Sequence, residues 1–165
     1  MEKNQIQILD DRLLDEWKAY MFYRNASQWC DVNGFNKYAG KSFVYEYHDE
    51  ASHAHKIERR LTDWGIKPTM PDLTKINYDF KSVLDICQKA HDMESDLLIK
   101  YNKSVLKFNN TDPDFALFLK KYVLIQEKSV VKYNSILKQL ETVKTDYELH
   151  SLEKKIFGKY LKKMR

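Results

Sequence analysis

The chain has 165 residues, a formal net charge of +4, 13% aromatic residues, and only four Gly and three Pro. That size suits one domain with a real core, and so few breakers exclude a disordered or loop-dominated chain and favour long helices. There is no apolar run long enough to span a bilayer and no leader-like segment at the N-terminus, so no membrane partner and a cytoplasmic location are expected. Two cysteines, Cys30 and Cys87, without CxxC spacing, read as buried free thiols. Mild basicity permits contact with nucleic acid without requiring it. Much of the excess sits in the closing "LEKKIFGKYLKKMR", where a solvated helix face is the simpler reading.

The first helix is expected over about residues 6–31, where Leu9, Leu13, Glu16, Tyr20, Tyr23 and Ser27 recur in steps of three and four. "DVNGFN" then offers an Asn-Gly turn. A second helix, about 36–62, carries Ala39, Phe43, Glu46, Glu50, His53, Ile57 and Leu61 in register. Gly65, Pro68 and Pro71 break the chain after it. A third helix, about 79–107, shows Leu84, Cys87, His91, Glu94, Leu98 and Tyr101 on one side, and "NNTDPD" supplies a turn with an N-cap. The fourth, about 112–143, aligns Phe115, Leu119, Tyr122, Gln126, Ser129, Tyr133, Ile136 and Leu140, and a short fifth follows at about 147–162.

The connection between the second and third helices is informative. A helix of about 27 residues is roughly 40 Å long, and about 15 extended residues reach roughly 50 Å. The segment is therefore long enough to run the length of a bundle. Two antiparallel hairpins joined by one crossover form a four-helix bundle of the ferritin-like kind. In the last segment Leu149, Leu152, Ile156 and Tyr160 form an apolar stripe with no place in a filled four-helix core. It is expected to pack against symmetry-related copies in a closed 24-subunit cage.

Each long helix also points a polar group inward: Glu16, then Glu50 with His53, then Glu94, then Gln126. Alone, each reads as a stripe-edge residue or a hydrogen-bonded core residue. Together they place repelling carboxylates in a core, which cations would relieve. Carboxylates, one imidazole and an amide oxygen, without thiolate, suit iron or manganese better than structural zinc, and open positions suit oxygen chemistry on ferrous iron. Glu50 lies between the other groups, where it can bridge two ions. His91, one turn before Glu94, reads as a core histidine or an accessory ligand, and His48 and His55 as solvent-exposed.

The motifs "LDDRLLDEWKAYMFYRNASQWC", "DEASHAHKI", "HDMESDL" and "FLKKYVLIQEKSVVKYNSIL" resemble those of bacterial non-haem ferritins from about Leu9 to Leu140. The resemblance implies a single all-α, ferritin-like domain over residues 1–165 with an intra-subunit di-iron ferroxidase centre. Glu16, Glu50, His53, Glu94 and Gln126 would be the ligands of two irons per subunit. Fe(II) would be oxidised by O2 or H2O2, and Fe(III) stored inside a homo-oligomeric cage. Tyr23 falls at the family's tyrosine beside the centre, to supply an electron or simply to pack. Ser129, where a second Glu-x-x-His would put histidine, argues against an oxygenase or rubrerythrin. Ala51, where bacterioferritin has its haem-ligating methionine, implies no haem. Ile125, Lys128 and Ser129 leave only Asp49 for the third iron site of many relatives. The net positive charge is unusual in a family that mineralises iron on acidic surfaces. Two other functions therefore stand beside ferroxidase: a shell or interaction protein of the same fold, and a DNA-protecting mini-ferritin, whose irons lie between subunits.

Overall fold

The computed structural model describes residues 1–73 and 76–161. Among them are five α-helices: α1 (Lys3–Val32), α2 (Lys41–Asp63), α3 (Val83–Phe108), α4 (Pro113–Leu140) and α5 (Asp146–Leu161). A π-helical turn, Asn36–Gly40, leads directly into α2. The expected end of the fifth helix at 162 and the basic residues beyond it lie outside the described residues, as do Thr74 and Lys75 in the connection. No described helix is long and apolar enough to cross a membrane.

The helices group into two compact units: residues 1–80 with α5 from Leu152 onward, and residues 81–151. In the first, α1 pairs with α2. The turn between them uses Gly34 at φ 83°, a left-handed conformation that glycine adopts without steric cost. Gly40 is closely surrounded: a Cβ there would meet the Phe35 carbonyl at 3.1 Å and Cys30 Cβ at 3.2 Å, so these neighbours would have to give by a few tenths of an ångström. Leu9, Leu13, Ala19, Phe22, Tyr23, Ala26, Phe43, Ala54, Ile57 and Leu61 are buried. The inward stripe expected on the second helix is borne out except at Glu46, which is half-buried. Tyr20 is half-buried instead of buried, because Ala19 and Phe22 turn inward on either side of it.

The connection after α2 runs along α1. Thr69 donates through its N–H (3.2 Å) and hydroxyl (2.9 Å) to Asp10. Farther on, Tyr78 and Phe80 pack edge-on against Phe22 at 5.0 and 5.3 Å between ring centroids. Asp10 and Phe22 are three turns apart, about 18 Å along the helix. The free thiol of Cys30 is buried. Burial first, then the charges of Glu153 and Asp31, push its pKa up to about 12, so it stays protonated.

The second unit pairs α3 with α4. Ser82 Oγ caps α3 by accepting from the Asp85 N–H at 3.1 Å, and Asp112 caps α4 by accepting from the Phe115 N–H at 2.9 Å, with Pro113 in the first turn. Tyr101 stacks on Tyr122 at 4.9 Å, and Phe108 meets Phe115 edge-on at 4.9 Å. The α3 stripe was read slightly out of phase. Leu84 is 43% exposed and Leu98 half-buried, whereas Val83, Ile86, Ala90 and Leu97 are buried. Two overlapping apolar rows share this helix, and their spacing alone does not say which one faces inward.

The fifth helix buries part of its expected stripe within its own chain. Leu149 (6%) and Ile156 (1%) are buried within their own chain, whereas Leu152 and Tyr160 of the same stripe are half-buried. Two residues outside the expected row complete the packing. Phe157 is fully buried, 6.2 Å from the Phe43 ring. Buried Glu153 accepts from the backbone N–H groups of Tyr38 (3.0 Å) and Ala39 (2.7 Å) at the π turn, which satisfies one of its carboxylate oxygens.

Candidate metal centre

In the first unit, α1 and α2 bring Glu16, Glu50 and His53 together. The spacing of three between Glu50 and His53 places both on one face of α2, and Glu16 comes from the buried row of α1. Relative exposures are 0% for Glu16, 2% for Glu50 and 8% for His53, which leaves water almost no part in solvating them. His53 Nδ1 lies 3.1 Å from Glu50 Oε2 and 3.5 Å from Glu16 Oε2. Burial pulls the imidazole pKa down, but hydrogen bonds to Glu16 and Glu50 and their charges outweigh it, and the pKa is pushed up to about 10.

That shift describes the site's chemistry. Ligand atoms of Glu16, Glu50 and His53 all lie within 4.8 Å of one another. Two carboxylate charges at that separation repel by about 3 kcal/mol at an effective dielectric of about 20. A proton on Nδ1 neutralises part of this. A divalent cation held by Nδ1 and the two carboxylates would do so more completely, in exchange for that proton. The donor set therefore fits a metal ion: oxygen and nitrogen ligands, no thiolate, low water access.

In the second unit, Glu94 on α3 and Gln126 on α4 are both fully buried. Among the described residues, neither Oε1 nor Nε2 of Gln126 has a hydrogen-bond partner. A buried amide with both ends unsatisfied costs stability, and such groups in folded proteins call for an explanation. A ligand role for Oε1 supplies one.

The other candidates fall out as follows. Tyr23 is fully buried among aromatic rings, 5.2 Å from Phe22 and 6.3 Å from Phe43. His48 and His55 are exposed, as expected, near Tyr47 (4.4 Å) and Trp17 (5.5 Å). His91 is half-buried and not a core histidine. It is 23% exposed at its side chain, with Nδ1 3.4 Å from Asp92. Asp49 is exposed. One acid was not considered as a candidate: Glu46, with a carboxylate oxygen within 4.8 Å of one of Glu50. Its place four residues before Glu50 in the inward row was the available signal.

Helices as the regular structure among the described residues, a long connection between α2 and α3, and a buried carboxylate–imidazole group mark an all-α protein with a metal-type site. Solved structures share the fold: an open pore ferritin from the archaeon Archaeoglobus fulgidus matches with a TM-score of 0.86 at 16% identity, covering 94% of this chain and 96% of that one. A humanized archaeal ferritin matches with a TM-score of 0.84 at 17% identity, covering 94% and 95%. The chain thus has the ferritin-like four-helix arrangement with one long crossover and a short fifth helix. The model of the family described as "Ferritin-like domain" matches residues 6–143, and the chain belongs to the ferritin family. Curated relatives include a probable bacterial non-heme ferritin-like protein of Haemophilus influenzae, 25% identical over 147 residues and 88% of each chain. A bacterial non-heme ferritin of Campylobacter jejuni is 22% identical over 145 residues, 87% of this chain and 86% of that one.

Proposed function

We propose that this ferritin-family chain is a ferroxidase that takes Fe(II) as substrate and passes Fe(III) to storage inside a homo-oligomeric cage of 24 subunits in the cytoplasm. The observation that carries the reading is the buried Glu16–His53–Glu50 group, whose two carboxylates and one imidazole offer ligand atoms within 4.8 Å of one another. In this reading Glu16, Glu50 and His53 bind one Fe(II), and Glu50, Glu94 and Gln126 bind the other. The second binds more weakly, because a neutral amide replaces a charged or strongly basic donor. Gln126, whose buried amide is otherwise unsatisfied, supports that assignment.

The chemistry balances with the groups present. Two Fe(II) give one electron each to O2, which takes up two protons and leaves as H2O2, and two Fe(III) remain. His53 gives up its Nδ1 proton when Fe(II) binds. Glu50, shared between both ions, fixes their separation, and burial keeps bulk water from the pair. Tyr23 is proposed to stand beside the pair, its ring packed against Phe22 and Phe43, and the two-electron step needs no electron from it. Membership in a family whose relatives are named ferritins supports storage and cage assembly. Anaerobic calorimetric titration with Fe(II) tests the reading. Two equivalents per chain of unequal affinity are expected, and fewer than one would overturn it.

A further inference from the structure

The side of α2 turned away from Glu50 and His53 carries cations that the proposed metal chemistry does not use. His48, Ala51, Ser52, His55, Lys56 and Arg59 line an open groove of about 430 Å³. Ser52, His55, Lys56 and Arg59 are exposed and stand three and four residues apart, so each lies one turn from two of the others. Together they surround one spot on the helix surface. At this spacing carboxylates elsewhere in the chain neutralise cations: Asp15 meets Arg12 at 3.0 Å, Asp85 meets Lys89 at 2.8 Å and Asp96 meets Lys100 at 2.7 Å. Lys56 has Ser52, His53, Arg59 and Arg60 at those positions instead. Among the described residues neither Lys56 nor Arg59 has an ion pair. Of the acids nearest in sequence, Asp49, Glu58 and Asp63, none lines the groove, and Glu58 accepts the Trp17 Nε1–H at 3.2 Å. Like charges one turn apart repel, a cost that an anion between them removes.

Both groove histidines are backed by rings. His55 meets Trp17 edge-on at 5.5 Å, Trp17 meets Tyr20 at 5.4 Å, Tyr20 meets Tyr47 at 5.5 Å, and Tyr47 lies 4.4 Å from His48. This belt from α1 and α2 restrains the imidazoles, so less freedom is lost when they bind a ligand. We propose that the groove is a binding site for a phosphate-class oxyanion. The Arg59 guanidinium supplies a planar fork of donors suited to two phosphate oxygens, and Lys56 supplies a point charge. Ser52 adds a hydroxyl donor and His55 a ring N–H. No covalent bond changes and no metal takes part, so the inference stands apart from the ferroxidase reading.

The test is equilibrium dialysis of the metal-free, full-length protein in chelator against radiolabelled inorganic phosphate. Chloride holds the ionic strength at about 0.15 M, which screens diffuse surface attraction. One phosphate per chain is expected, with half-saturation below about 1 mM. Arg59→Gln and Lys56→Gln should each weaken binding about tenfold, equivalent to about 1.4 kcal/mol, and Arg59→Lys should recover part of the loss. Lys41→Gln removes an equal charge from an exposed place on the same helix and should stay within about twofold of the parent. Thermal melting confirms that each variant is folded. A second arm with adenosine monophosphate separates the free ion from a phosphate ester. Retention of phosphate alone assigns the free ion, and retention of both with the same loss in Arg59→Gln assigns a terminal phosphate group. Retention of the nucleotide alone would overturn the proposal, as would a parent protein that binds neither. So would unchanged half-saturation in Arg59→Gln, or equal weakening by Lys41→Gln, which would mean diffuse charge.

Discussion

Gln126 offers the most discriminating perturbation. Its side chain is fully buried and, among the described residues, neither end of the amide has a hydrogen-bond partner. Each buried, unsatisfied polar group costs about 1–3 kcal/mol. Gln126→Met keeps the length and nearly the volume of the side chain while removing both groups. Allowing up to about 1.5 kcal/mol for imperfect repacking, the metal-free protein should gain about 2 kcal/mol. For a chain of this length that raises the melting temperature by about 4–8 °C. The same change removes a proposed ligand, so the stabilisation that Fe(II) or Co(II) gives the parent should shrink in the variant. Thermal melting in chelator and again with metal under argon measures both halves. A metal-free variant less stable than the parent by 1 kcal/mol or more would show that the amide is satisfied, and the ligand assignment would lose its support.

Three further outcomes follow from the geometry. His53 is held up to about 10 against an ordinary 6.5, so the metal-free fold has the full benefit of its imidazolium below about pH 6.5 and loses it as pH climbs through about 10. A cation on Nδ1 expels that proton, so its affinity should rise about tenfold per pH unit across this window. Calorimetry in buffers of different ionisation heat should find one proton released with the first equivalent, and none released would contradict the site. Glu50→Ala should lose both Fe(II) equivalents and Glu94→Ala only one, as read by anaerobic titration. Two undiminished equivalents in Glu50→Ala would mean that it bridges nothing. Glu153→Ala leaves the Tyr38 and Ala39 N–H groups without their charged acceptor and should cost about 2–4 kcal/mol, with Glu153→Gln milder. Equal stability of all three proteins in guanidinium would refute that account of how α5 is fastened.

Much of this protein was legible in the sequence because long helices announce themselves. The row from Ala39 in the π turn to Leu61 on α2 was read almost residue for residue, since it alternates cleanly with Lys, His and Arg on the outer face. Glu16, Glu50 and His53 were legible as a group because polar residues in an apolar row need partners. What failed did so for physical reasons. On α3, Leu84 and Leu98 lie beside Val83 and Leu97, and periodicity cannot choose between adjacent apolar rows. On α5, Glu153 reads as surface, because nothing in its neighbourhood announces two backbone donors 114 and 115 residues away. The register of Glu46, four residues before Glu50, was visible in the sequence, but the distance between the two carboxylates depends on side-chain geometry.

Oxygen consumption tests the central claim most directly. Two Fe(II) per chain are added to the metal-free protein in air-saturated buffer, and O2 uptake is followed with an electrode alongside the rise of Fe(III) absorbance. A di-iron ferroxidase should consume one O2 for every two Fe(II), in a fast phase that saturates at two Fe(II) per chain and is absent from Glu50→Ala. An uptake of one O2 per four Fe(II), at the rate of iron in buffer alone and unchanged in Glu50→Ala, would contradict it.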